Sequence, residues 1–89
     1  MQGCLRLHPA DNVVVALRRL GKDGRLTDTT GPIVTRQPVP ALFKVAVTDI
    51  RKGEKVIKYG MCIGIAIRLI LKGEVVHTDN IKSNYVFET

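Results

Sequence analysis

The stretch IRKGEKV, Ile50 to Val56, returns twenty residues later as ILKGEVV, Ile70 to Val76. In each copy an apolar run ends at isoleucine, a polar Lys-Gly-Glu follows, and a valine-rich run resumes. Gly53 and Gly73 take positive φ without steric cost, as tight connections between strands often require. Each copy therefore reads as strand, turn, strand. Between them lies YGMCIGIAI, Tyr59 to Ile67, in which Gly60 and Gly64 mark a turn and a bulge or close backbone approach. The repetition describes two similar corners of one small β domain; two copies are too few for a solenoid.

The rest of the chain agrees with this class. VVVAL, Val13 to Leu17, is a continuous β-branched run and reads as a buried strand. KVAVTDI, Lys44 to Ile50, alternates, with Val45, Val47 and Ile50 expected to face one way. Leu5 and Leu7 alternate with polar neighbours as in a short half-buried strand, and HPADN ends it, because Pro9 lacks an N–H and Asp11 and Asn12 form turns. Pro38 and Pro40 hold QPVPALF extended and outside any sheet. Three glycines, two adjacent threonines and Pro32 make residues 21–32 the expected flexible loop. No segment carries a convincing helical period. The expectation is a single all-β domain over residues 1–89 with little or no helix.

Composition narrows the function. Fourteen Lys and Arg against eight Asp and Glu give +6, which suits an anionic partner or simply a basic solvated surface. The charges are scattered, and four aromatic residues spread along the chain make poor stacking platforms, so nucleic acid is not expected as a partner. No apolar run reaches the length of a membrane span, and the opening MQGCLRLHPADN lacks the pattern of a signal peptide. Cys4 and Cys62 form no CxxC or Cys/His cluster, so no metal site is expected on them and the simplest compartment is the cytoplasm. VVVAL and IGIAIRLIL offer an edge or face for self-association into a homo-oligomer.

LHPADNVVVAL, then PVPALFKVAVTDIRKGEKVIKYGMCIGIA, then KGEVVHTDN, in this order, resemble the SAF-type domain of the altronate and galactarate dehydratase family, and the small subunit of sulfolactate sulfo-lyase is similar. The resemblance covers nearly the whole chain. It implies a β-clip, a small bent arrangement of short strands and hairpins. It also implies a lyase that removes water from a sugar acid, with this domain acting as a small subunit or N-terminal part beside a large catalytic dehydratase subunit and inactive alone. Such a reaction takes the proton next to a carboxylate and expels the β-hydroxyl, so it needs a base, a cation and an acid. No cofactor is expected in the isolated chain; a divalent metal, iron by resemblance, is expected in the complete enzyme.

By the same resemblance His8 and His77 are the candidate catalytic residues, and Lys44, Asn12, Tyr59 and Asn80 the candidate substrate contacts. Each has a structural alternative: His8 and His77 as surface histidines bonded to their turns, Asn12 and Asn80 as turn builders, and Tyr59 as a packed ring with a wet tip. Lys44 suits a substrate carboxylate. Leu42-Phe43 stands where the family has Gly-His, and Asp79 where it commonly has a further histidine. Those departures leave open a different role, a non-catalytic β-clip module that binds an anionic carbohydrate or a partner protein. Glu54 and Glu74 occupy matching turn positions and are not expected to form a catalytic pair.

Overall fold

A computed structural model describes residues 3–83. It contains no helix among the described residues, and its strands are β1 (Cys4–Leu5), β2 (Val13–Ala16), β3 (Arg25–Asp28), β4 (Gly31–Val34), β5 (Lys44–Ala46), β6 (Lys55–Lys58), β7 (Met61–Ala66), β8 (Val75–Val76) and β9 (Ile81–Lys82). The all-β expectation holds. A central antiparallel sheet runs β1-β2-β5-β8, flanked by the β3-β4 hairpin and a three-stranded β6-β7-β9 sheet.

The repeated phrase is half of a larger pattern. Leu20, Val39, Ile50 and Ile70 are each buried and each precede a turn into a strand. The third residue after each of them has positive φ: Asp23 at 63°, Leu42 at 70°, Gly53 at 89° and Gly73 at 93°. Each turn closes with a backbone hydrogen bond, Gly24 N–H to Gly21 O and Phe43 N–H to Pro40 O at 3.2 Å, Glu54 N–H to Arg51 O and Glu74 N–H to Leu71 O at 2.9 Å. Isolated bridges pair these corners, Leu20 with Val39 and Ile50 with Ile70. The chain thus builds one bent hairpin from β2 to β5 and a second, similar one from β5 to β8.

The repeated glutamates belong to the corners. Glu54 Oε1 accepts the Arg51 N–H at 2.6 Å and Glu74 Oε1 the Leu71 N–H at 2.7 Å. Each carboxylate satisfies a donor that its turn leaves open, much as a capping residue does at a helix start. We expect Glu74→Ala to lower stability by about 1 kcal/mol in urea denaturation, with Glu74→Gln recovering part of it.

Each hairpin has its own core. Val14, Leu20, Leu26, Ile33, Val39 and Val45 pack in one, and Val13, Ala46, Ile50, Val56, Ile70 and Val76 in the other. The sheet between them is covered on both faces, so VVVA has no polar alternation. For the same reason Val45 and Val47 join the first core while Ile50 joins the second, rather than all three facing one way.

Two local expectations are corrected. The segment expected as a flexible loop, residues 21–32, contains a corner, β3 and the start of β4; Leu26 pairs with Ile33 and Thr27 with Pro32. Its turn-forming residues shape a corner and a hairpin tip: the Thr35 hydroxyl donates to Gly21 O and accepts from Gly24 N–H, both at 2.7 Å. Pro32 is tolerated because the two-stranded hairpin has open edges. In β1 the inward residue is Cys4, whereas Leu5 is 40% exposed.

Gly64 meets both of its expectations. The β6-β7 register shifts between Val56 and Ile57, and a Cβ on Gly64 would lie 2.8 Å from the Lys82 carbonyl oxygen of β9.

Candidate functional site

The residues singled out in the sequence fall into two neighbouring groups. The first surrounds the tip of the β6-β7 hairpin. Tyr59 and Gly60 both have positive φ, 56° and 74°, as the tight two-residue hairpin turn requires. Their N–H groups point at the loop before β2, where the buried Asp11 carboxylate accepts both, Tyr59 at 2.9 Å and Gly60 at 2.8 Å. Asn12 extends the grip: its Oδ1 accepts the Ile57 N–H at 2.7 Å and its Nδ2 donates to Lys55 O at 2.9 Å. Asp11→Ala strands two backbone donors, and we expect it to cost about 2 kcal/mol in denaturant midpoint measurements.

His8 lies against this tip. A Cβ on Gly60 would be 2.9 Å from the imidazole Cδ2, so glycine lets the ring approach the backbone. His8 Nδ1 accepts the Ala10 N–H at 3.0 Å. The neutral ring then carries its proton on Nε2. In that form His8 donates a hydrogen bond from Nε2, and abstracting a proton would require losing the bond to Ala10. Beside it opens a cleft of about 330 Å³ lined by Arg6, Leu7, His8, Pro9, Thr29 and Thr30. The Tyr59 residue is 66% exposed.

The second group lies along β5 and β8. Lys44 sits mid-sheet, in register with Val15 on one side and Val76 on the other. Partial burial pushes its ammonium pKa down, and the charge of Lys58 pushes it further. Lys58 adjoins Tyr59 in the chain, so it links the two groups electrostatically. Phe43 and His77 pack ring to ring at 4.8 Å between centroids. Asn80 is fully buried: its Oδ1 accepts the His77 N–H at 3.0 Å and its Nδ2 donates to Val75 O at 2.7 Å. Asn80 therefore shapes the turn that carries His77, and its amide is turned away from solvent. Asp79 points outward and approaches Arg68 at 3.8 Å.

The depressed Lys44 value has a signed consequence. Its folded pKa lies below the unfolded value of 10.5, so the protonated form is penalised by folding. The penalty is full below the folded pKa and fades as pH rises toward the unfolded value. Lys44→Met is expected to raise the melting temperature at neutral pH and to flatten the gain in stability seen on approaching pH 10.5.

A family profile described as "Altronate/galactarate dehydratase SAF domain" matches residues 2–84. The chain belongs to this family. Among curated relatives this SAF-domain chain is 40% identical over 80 residues to the altronate dehydratase of Escherichia coli, a match covering 90% of the chain and 16% of that protein. It is 33% identical over 84 residues to the altronate dehydratase of Bacillus subtilis, covering 94% of the chain and 17% of that protein. The alpha subunit of (2R)-sulfolactate sulfo-lyase from Chromohalobacter salexigens is 36% identical over 56 residues, 63% of the chain and 60% of that subunit. The SAF domain thus spans about a sixth of the length of the two dehydratases.

The divalent metal implied by resemblance finds no fitting ligand set among the described residues. Among the described residues no three His, Cys, Asp or Glu side chains converge. A metal-binding histidine donates its second ring N–H to a neighbour, whereas His8 accepts there. Nor is any helix of the described residues long and apolar enough to cross a membrane. Two contributors to the site lay outside the sequence expectations. Lys58 opens the KYG triplet, but its effect on Lys44 is a tertiary contact. Asp11 was legible as a turn former, whereas its bonds to Tyr59 and Gly60 join segments far apart in the chain.

Proposed function

We propose that this SAF domain is the small subunit, or the N-terminal domain, of an altronate/galactarate-dehydratase-like hydro-lyase, and that it works beside a larger catalytic chain. The observation that carries the reading is Lys44: a half-buried cation, held mid-sheet with Lys58 nearby and without a carboxylate partner in an ion pair among the described residues. The charge of Lys58 disfavours the Lys44 ammonium, and an anion relieves that repulsion. The carboxylate of a sugar acid supplies one. Family membership and the share of the dehydratases that the chain matches support the same role.

In this reading Lys44 and Lys58 hold the substrate carboxylate, and its negative charge grows when the neighbouring proton is removed. His8 donates its Nε2–H to a substrate oxygen. Asp11 and Asn12 keep the Tyr59-Gly60 tip in place, and the Tyr59 side chain is exposed toward the substrate side. Asn80 and Phe43 position His77. The proton-abstracting base and any metal belong to the larger chain.

The test is steady-state dehydration of altronate and galactarate by the complete enzyme carrying Lys44→Met. Loss of the carboxylate contact predicts a fall in kcat/KM of roughly a hundredfold, together with the higher melting temperature described above. Unchanged kinetics would remove Lys44 from the site.

A second reading rests on Phe43. A phenyl ring cannot move a proton, and here it packs on His77. On that basis the domain is a non-catalytic module that binds an anionic carbohydrate or a partner protein. Metal-independent binding of sugar acids to the isolated chain by calorimetry, with no contribution to turnover, would favour it.

A further inference from the structure

Away from the His8 cleft, at the base of the β3-β4 hairpin, two corners meet. Asp23 N–H donates to Thr35 O at 2.8 Å and Arg36 N–H to Gly73 O at 3.0 Å, joining the corner before β3 to the corner before β8. Between them opens a groove of about 510 Å³ lined by Lys22, Asp23, Pro32, Val34, Thr35, Arg36 and Lys72. Three cations from separate stretches of chain therefore share one concave surface with a single carboxylate, Asp23.

Their placement is built rather than incidental. Arg36 Nε donates to Lys72 O at 3.0 Å, which anchors the guanidinium beside Lys72 at the wall of the groove. The Lys72 N–H is fixed in turn by Asp49 Oδ1 at 2.8 Å. Among the described residues the ion pairs join Arg6 to Asp28 and Arg68 to Glu74 and Asp79; Lys22, Arg36 and Lys72 take part in none of them. Like charges gathered in a recess repel one another and focus a positive potential. Nothing in either core requires them there.

We propose that this groove is an anion site, separate from the sugar-acid cleft, that takes a free dianion of phosphate type. Arg36 supplies the directional contact, because a guanidinium matches an oxyanion edge with two parallel hydrogen bonds. Lys22 and Lys72 close on it as point charges.

The experiment is a heteronuclear NMR titration of the full chain at low ionic strength with two probes, inorganic phosphate and a capped glutamate-rich peptide. Saturable shifts are expected at the backbone amides of residues 22–24, 35–36 and 72–73. Arg36→Gln is expected to weaken binding roughly tenfold or more; Lys22→Gln, whose side chain makes no ion pair among the described residues, weakens it less. Saturable shifts with phosphate support the site; shifts with the peptide alone overturn the free-anion assignment. Absence of shifts with phosphate overturns it, as do phosphate shifts that persist undiminished in Arg36→Gln and Lys22→Gln.

Discussion

Arg6→Ala is expected to destabilise the fold by about 3–5 kcal/mol, the usual consequence of leaving a buried charge without its partner. Arg6 Nε and Nη2 donate to the two Asp28 oxygens at 2.9 and 2.6 Å, and the Asp28 side chain is wholly enclosed. The Arg6 Nη1 also donates to Asp11 O at 2.8 Å and Pro9 O at 3.2 Å, so one guanidinium ties the HPADN loop to the tip of the β3-β4 hairpin. The hydrogen bond from Arg6, assisted by the Thr30 hydroxyl, outweighs burial and holds the Asp28 carboxyl well below the usual carboxylate range. With the folded value depressed, the stabilisation is present above the unfolded pKa of 3.8 and drains away as pH falls below it. Wild-type protein should therefore lose stability steeply in acid. Arg6→Ala should start lower and show a shallower acid limb in urea unfolding followed by circular dichroism. A variant within about 1 kcal/mol of wild type would show that the pair contributes no more than a surface contact.

Gly73→Ala is expected to be of comparable size, about 4 kcal/mol or outright failure to fold. At φ 93° an L side chain is already strained, and the added Cβ would lie 2.1 Å from the Val34 carbonyl oxygen. That oxygen is backbone and cannot swing aside. Gly53 is the matched control: it occupies the same place in the other copy of the phrase, has φ 89°, and faces open space. Gly53→Ala should cost only the left-handed penalty, about 1–2 kcal/mol. Thermal melts of the two variants side by side separate the steric term from the conformational one; equal losses would mean that the Gly73 corner does not pack on β4.

The contrast between the corners also marks what could be read in advance. The two written with Lys-Gly-Glu were legible because glycine sits where φ is positive; the glutamates read only as matching turn positions, and their bonds to turn donors are set by the fold. The other two place Asp23 and Leu42 in the left-handed position; Asp23-Gly24 signals only a turn, and Leu42 carries no signal for it. That is why the corner before β3 dissolved into an expected loop. Leu26 and Ile33, the apolar residues that make residues 25–34 a hairpin, lie among many turn formers. Among the candidate residues, His8 and Lys44 were singled out by resemblance, but the direction of the His8 proton depends on the Ala10 N–H, and the lowered pKa of Lys44 comes first from burial and then from Lys58. Both are set by contacts made after folding. Asn80 shows the opposite case: a polar residue in a promising motif whose amide is consumed by its own turn.

Lys44 also separates function from stability. A cation kept half-buried against its own solvation and beside another lysine is poorly explained by folding alone. A substitution that stabilises the domain and impairs turnover would place it among the residues retained for chemistry.

The most direct measurement is reconstitution. The chain and a separately purified large dehydratase chain are assayed for keto-acid formation from altronate and galactarate, each alone and then mixed. Activity that appears only in the mixture, saturates at a fixed ratio of the two chains and falls with Lys44→Met is the predicted result. A large chain that is fully active alone, with no change on adding this domain, would contradict the account.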